Sequence, residues 1–380
     1  MTLGVYVQVP FCQTKCTYCN FHTGPVAKTL YHPFVEAVSQ EIALRAISTA
    51  PWLKQPVNTV YVGGGTPSLL EPAALELVMG ALRRGLACEW EEVTLEADPE
   101  TISTEKADAW CAAGFNRISM GAQSFDDAEL KAAGRMHRRA DIFSAVRSLR
   151  GAGFENISCD LIAGLPLQTA ASWENSVGEL LSLRPEHISI YLMEIDDGSR
   201  LGRELLAGGS RYSAGALPSD DEMAGFYESA CERLSAAGYE HYEISNWALP
   251  GQKSRHNLKY WQREPYLGLG AGAHSFSGTE RWANAHDAAA YIRAMQQGRI
   301  PVEQMETVNA DAALNEELFL GLRLLVGIDF ADIEQRYNVS LSARLAELGK
   351  SGLVEIEGRR VRLAPGRLAV SNEVFVELLG

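Results

Sequence analysis

Three cysteines, Cys12, Cys16 and Cys19, fall within eight consecutive residues, while the other four, Cys88, Cys111, Cys159 and Cys231, are scattered through apolar sequence. Thiolates this close together on an irregular loop can converge on one metal centre, and Pro10, Phe11, Tyr18 and Phe21 would keep it partly dry. A cubane iron–sulfur cluster usually takes four thiolates, so three leave one iron open to a small chelating molecule. The competing reading is structural zinc with His22 as the fourth ligand. Zinc sites typically pair two knuckles separated by a dozen or more residues, whereas Cys12 to His22 spans only eleven positions. The spacing therefore favours a [4Fe–4S] cluster. Plain buried thiols fit less well, because Gln13, Thr14 and Lys15 do not belong in a core. The four scattered cysteines read as small core residues.

A loop that holds a cluster must itself be held, and the surrounding sequence supplies a regular frame. Six β-type runs recur: Val5–Val9, Thr59–Val62, Val93–Ala97, Arg117–Gly121, Ile157–Ile162 and His187–Leu192. Amphipathic stretches separate them, at Pro33–Ala46, Pro72–Leu86, Glu105–Ala113, Ala140–Ala152 and Ala171–Leu183. Such alternation predicts an α/β fold with a parallel sheet, and both a barrel and a doubly wound topology satisfy it. In either case chemistry collects at the C-terminal ends of the strands. The cysteine trio follows the first run, Gly63-Gly64-Gly65-Thr66-Pro67 the second, and Glu96 and Asp98 close the third. Gln123 follows the fourth run, Asp160 lies in the fifth, and Tyr191 to Glu194 end the sixth.

After about residue 200 this rhythm lapses into a Gly/Ser-rich loop near residues 208–215, a helix over 221–237, and aromatic-rich irregular sequence through Ser275. From about Glu303 the pattern becomes helical over 313–325, 329–337 and 341–351, then strand-like over 353–356 and 360–363. Helices that end in a hairpin suggest a winged-helix-like module.

The 380 residues, 46% of them hydrophobic, can bury one large core and a smaller one. No apolar run reaches the length of a membrane span, and no charged segment followed by an apolar one opens the chain, so a cytoplasmic protein is expected. An odd cysteine count fits that expectation better than a disulfide framework. A net charge of −14 opposes phosphate backbones, although Arg135, His137, Arg138 and Arg139 form a local basic cluster. Nucleic acid is not an expected partner, and the C-terminal module is expected to pack or cover rather than to bind DNA.

Cys-x3-Cys-x2-Cys after the first strand of a β/α repeat, with an aromatic residue before the last cysteine, resembles the motif of radical S-adenosylmethionine (SAM) proteins. The glycine loop at Gly63-Gly64-Gly65-Thr66 is similar to the loop that receives the methionyl amino group in that superfamily. Within it, the chain resembles the HemN/HemW family from end to end. The matching segments include Val9-Pro10-Phe11-Cys12, Gln123-Ser124-Phe125, Gly134-Arg135-Met136-His137, Gly164-Leu165-Pro166, Tyr242-Glu243-Ile244-Ser245-Asn246 and His256-Asn257-Leu258-Lys259-Tyr260-Trp261. The resemblance implies a partial (β/α)6 TIM-like barrel over 1–200, a family-specific extension over 201–302, and a C-terminal helical, winged-helix-like module over 303–380. It also implies that Cys12, Cys16 and Cys19 ligate the cluster and that Tyr6, Tyr18 and the Gly63–Thr66 loop meet SAM. Glu96 and Arg135 would lie near its charged groups, and Gln123 and Asp160 on its ribose.

The family contains coproporphyrinogen III oxidases and heme chaperones, and this chain resembles the chaperones. Phe21 stands where the oxidases have a further cysteine, and only eleven residues precede Cys12 where they carry a covering arm. Heme contacts are expected from the His256–Trp261 motif, with His256 as axial ligand and Tyr260 and Trp261 as apolar faces. His274 is a second candidate ligand, and on a helix His256 and Tyr260 could equally well just pack against each other. The partners implied are heme, an acceptor protein and an electron donor. Two positions depart from the family pattern: Asp98 stands in place of Asn, and Leu167 in place of Gly.

Overall fold

A computed structural model describes residues 2–379. Its first half alternates β1 (Leu3–Val9), α1 (Tyr31–Ala46), β2 (Val57–Gly64), α2 (Pro72–Gly85), β3 (Cys88–Ala97) and α3 (Thr104–Ala112). It continues through β4 (Arg117–Gln123), α4 (Asp127–Ala132), α5 (Arg139–Gly151), β5 (Ile157–Ala163), α6 (Ala170–Leu183) and β6 (His187–Leu192). The six strands pair in parallel in chain order, as the right-handed β/α crossover dictates. Helices cover one face of the sheet, and the alternate residues Leu3, Val5, Val7 and Val9 that β1 turns to one side are at most 1% exposed.

The sheet does not close on itself. Instead the next segment extends both of its edges, through α7 (Arg200–Leu206), α8 (Asp220–Ala236), β7 (Glu240–Glu243), β8 (Asn246–Ala248), α9 (Arg255–Trp261) and β9 (Tyr266–Leu269). It ends with β10 (His274–Phe276), β11 (Glu280–Asn284), α10 (Ala288–Gln296) and β12 (Val302–Thr307). The strand order is β12-β11-β10-β9-β1-β2-β3-β4-β5-β6-β8-β7, a partial barrel in which β9 joins β1 in parallel and the remaining added strands pair antiparallel. The sequence pattern predicts mostly irregular structure for this segment, and the strands are the difference. Strands of three to six residues carry too little alternation to be read locally, and they exist here because an established edge offers them hydrogen bonds. Glycines permit the pairing at the β1 edge: a Cβ on Gly268 would run into the His274 carbonyl, and one on Gly270, at φ +96°, into the Gln8 carbonyl.

The C-terminal part holds α11 (Ala310–Gly321), β13 (Ile328–Asp329), α12 (Phe330–Tyr337), α13 (Ser342–Lys350), β14 (Val354–Glu357), β15 (Arg360–Leu363) and α14 (Ser371–Leu379). The expected helices and hairpin are present, β13 completes a three-stranded sheet, and α14 follows it. One apolar core runs through barrel and module, and a small second one, including Ile162, Leu165, Met193 and Leu201, lies beside the cysteine loop. Among the scattered cysteines Cys159 is a core residue, Cys88 and Cys231 are half-buried, and Cys111 is exposed. On α3 the buried residues are Ala107 and Trp110, which leaves position 111 off the packed face. The basic cluster is split by the fold: His137 is buried and Arg135 largely covered, while Arg138 and Arg139 are exposed and Arg139 pairs with Glu179. Among the described residues no helix is long and apolar enough to cross a membrane.

Candidate functional site

At the C-terminal ends of the strands lies a cavity of about 760 Å³ lined by all three clustered cysteines. The loop that carries them leaves β1 and is tied down on several sides. It closes on itself through Cys12 N–H to Gly24 O (3.0 Å) and Gly24 N–H to Pro10 O (3.1 Å). Buried Thr17 donates its N–H to Ala133 O (3.0 Å) and accepts from Leu201 N–H (2.8 Å), and Arg200 bonds the Lys15 carbonyl. The glycine loop after β2 is laced to it, with Gly65 N–H on Val9 O (2.8 Å) and Thr66 N–H on Phe11 O (2.6 Å). Only glycine permits that approach: a Cβ at residue 65 would meet the Phe11 carbonyl and lie 3.0 Å from Cys12 Sγ.

The donor set fits a cubane better than a single ion. The cysteines are half-buried thiols beside the cavity, and among the described residues no three His, Cys, Asp or Glu side chains close on one ion. Zinc demands such closure, whereas a cubane presents a separate iron to each thiolate. The His22 ring lies against that of His286, with centroids 4.4 Å apart. Burial raises the Cys12 thiol, and a hydrogen bond from Thr23 pulls it back down.

Polar groups from β2 to β5 form the opposite wall. Glu96 accepts Gly64 N–H (2.8 Å) and the Tyr61 hydroxyl (2.9 Å), and burial nevertheless pushes its carboxyl up to about 7. Arg135 is the charge centre: it pairs with Asp98, donates to Gly121 O (3.1 Å), and reaches Cys16 Sγ at 3.4 Å. Asp98 also accepts from Thr66 Oγ1 (3.0 Å), so the residue that departs from the family pattern ties the glycine loop to the arginine. Asp160 is pushed up to about 6 by burial, against the lowering effects of Ser189, Arg117 and Arg135. Buried Oδ1 of Asp160 and Oε1 of Gln123 have no hydrogen-bond partner, and Gln123 is held at φ +65°. Two orphaned acceptors in a cavity suit a ligand bearing hydroxyl groups.

Tyr6, Tyr18, Gly64, Gly65, Thr66, Glu96, Gln123, Arg135, Asp160 and His274 therefore line one cavity, while Gly63 backs it against Tyr61 and Glu96. The His256–Trp261 motif is elsewhere. His256 is 0% exposed on α9, with Nδ1 bonded to Thr59 Oγ1 (2.9 Å) and Nε2 to the Tyr260 hydroxyl (2.9 Å). Trp261 packs under the Arg323 guanidinium. With both nitrogens engaged, His256 is a core imidazole here. Burial, with Lys259 and Arg117 nearby, lowers it to about 3. His22, the zinc-ligand candidate, also stands on the cavity wall, together with Gln8 and His286, which no sequence signal singles out. Only the fold brings His286 there, and no motif marks it.

The fold and this cavity define a radical SAM protein, and the sequence model of the Radical SAM superfamily matches residues 6–180, with the HemN C-terminal domain matching 308–366. A superfamily of this kind implies a [4Fe–4S] cluster and SAM. Over 99% of its length the chain is 34% identical to the heme chaperone HemW of Bacillus subtilis, covering 99% of that protein. It is 32% identical to the heme chaperone HemW of Lactococcus lactis, covering 99% of this chain and 97% of that one. The chain belongs to the HemW family. The solved structure of the radical SAM enzyme coproporphyrinogen III oxidase (HemN) from Escherichia coli shares the fold, with a TM-score of 0.85 at 23% identity over 99% of this chain and 90% of that one.

Proposed function

We propose that this protein is a cytoplasmic heme chaperone that binds heme beside a [4Fe–4S] cluster ligated by Cys12, Cys16 and Cys19, and passes it to an acceptor protein. The observation that carries this reading is the full-length identity to proteins named heme chaperones. Phe21 supports it against the oxidase alternative, because an exposed phenyl ring stands at the cavity mouth where the oxidase pattern needs a thiol.

The bound cluster supplies an iron with an open coordination position and one-electron chemistry. The chain's own residues do the rest. Glu96 and the Gly64–Thr66 backbone receive the methionyl end of SAM, Arg135 neutralises negative charge beside Cys16, and the free oxygens of Gln123 and Asp160 accept from its ribose hydroxyls. Tyr6 and Tyr18 wall the ligand off from water.

The test is an anaerobic preparation titrated with hemin and separately supplied with coproporphyrinogen III, SAM and a reductant. Heme binding without formation of protoporphyrinogen IX is the expected result. Turnover of coproporphyrinogen III would overturn the chaperone reading in favour of the oxidase.

A further inference from the structure

Of the eight histidines, five have a partner for their ring. His137, His187, His241 and His256 are hydrogen-bonded, and His32 lies 3.6 Å from Glu36. The other three, His22, His274 and His286, have no hydrogen-bond or ion-pair partner for their rings among the described residues, and all three line the cluster cavity. They come from the cysteine loop, the start of β10 and the loop after β11. Their rings form a continuous wall, with centroids 4.4 Å apart for His22–His286 and 6.4 Å for His274–His286. Nδ1 of His286 is buried without a partner. No protein group engages any of the three rings, and at the buried Nδ1 of His286 this leaves a bonding capacity that a ligand can meet.

The wall is built on a rigid base. Glu41 on α1, 0% exposed, accepts Gly270 N–H (3.0 Å), Asn284 Nδ2 (2.9 Å) and the Tyr291 hydroxyl (2.7 Å), while Asn284 Nδ2 also bonds Gly270 O (3.0 Å). One buried carboxylate thus pins both loops that present His274 and His286. Phe21 and Met136, 67% and 50% exposed, add apolar surface to the same cavity.

We propose that this imidazole wall, and not the His256–Trp261 motif, is where the iron of heme is ligated, with His274 as the axial ligand and His286 and His22 beside it. The inference rests on the chaperone reading and specifies its site. His274 is chosen because it is the exposed member of the pair held by Glu41. Desolvation, helped by His286, Arg281 and His22, lowers its pKa, which keeps the imidazole neutral and its lone pair available. A bare divalent ion is the poorer fit, since no three such side chains close on one ion, whereas a porphyrin supplies four of the iron's ligands and asks the protein for one.

The experiment uses the cluster-loaded full chain and the variant H22A/H274A/H286A, each titrated anaerobically with hemin, with metal-free protoporphyrin IX and with Zn²⁺. Expected are a hemin affinity at least about tenfold weaker in the variant, a scale set by losses already seen when groups behind metal ligands are removed. Added imidazole should restore the Soret band, while protoporphyrin IX binding and cluster iron stay unchanged. The single variant H274A should show most of the spectral change. Equal hemin binding and spectra in wild type and triple variant would overturn the wall while leaving the chaperone reading intact. Wild-type protein that binds Zn²⁺ through these histidines but takes hemin independently of them would also overturn it. If wild-type protein binds no hemin at all, the chaperone reading itself fails.

Discussion

Replacing His256 with Ala separates a structural imidazole from a heme ligand. The substitution removes hydrogen bonds to Thr59 and Tyr260, both 2.9 Å, from a side chain that is 0% exposed. Leaving buried hydroxyls unpaired costs about 1–3 kcal/mol each, and emptying a ring-sized site costs about 3–5 kcal/mol. These contributions overlap because they share one site, so the expected loss is about 3–5 kcal/mol, a large share of the ~5–15 kcal/mol typical of a native protein. His256→Phe fills the space and leaves the same hydroxyls unpaired, so it should recover the cavity share only. The assay is urea unfolding of the cluster-loaded protein at pH 7.5 followed by circular dichroism, with hemin titration well below the transition. The pH dependence supplies an internal check. Burial holds His256 neutral down to about pH 3, below its unfolded value, so the unfolded chain binds the extra proton. As pH falls from about 6.5, the wild type therefore loses about 1.4 kcal/mol per pH unit through this side chain. The alanine variant has nothing to lose there, so the stability gap should narrow toward acid. A variant as stable as wild type that has lost its Soret band would refute the reasoning and return His256 to the role of iron ligand.

The glycine loop offers a second test: Gly65→Ala drives a Cβ into the Phe11 carbonyl, and reconstituted protein should retain little cluster iron although its circular dichroism is unchanged. Full iron and sulfide content in that variant would show that the two loops can part. Glu96, raised by burial to about 7, gains its charge as pH rises through that value. SAM affinity measured by calorimetry should tighten by up to about tenfold per pH unit below 7 and then level off, whereas Glu96→Gln should bind weakly with no such dependence. A wild-type affinity that is flat from pH 6 to 8 would remove Glu96 from the contact. Leu167 holds φ +73°, a conformation that favours glycine. Leu167→Gly should raise stability by about 0.5–1 kcal/mol, read as a higher urea midpoint, because the relieved strain exceeds the added chain entropy. A lower midpoint would mean that the leucine side chain contributes more than its backbone costs.

How much of this protein is legible in the chain depends on the distance over which each feature is specified. The six-unit frame could be read locally, since each strand is a short apolar run followed by an amphipathic helix, and β4 and β6 begin at the expected residues. The cysteine trio was legible because its thiols are neighbours in sequence and their spacing is itself the signal. Glu96 and Gln123 followed by position, since the ends of parallel strands share one rim, and Asp160, inside β5, faces the same cavity.

Tertiary structure decided what depends on contacts between distant segments. The short strands β7 to β12 have no periodicity of their own and form because the β1 and β6 edges were open to be paired. His256 looks like a ligand in its motif, yet α9 turns it inward onto Thr59, 197 positions away, where both nitrogens are consumed. His286 carries no motif, yet a buried carboxylate on α1 fixes its loop against the cysteine loop and leaves its ring without a partner. A sequence specifies which groups could bond. Whether a given imidazole keeps a free nitrogen is settled by which groups the fold packs against it.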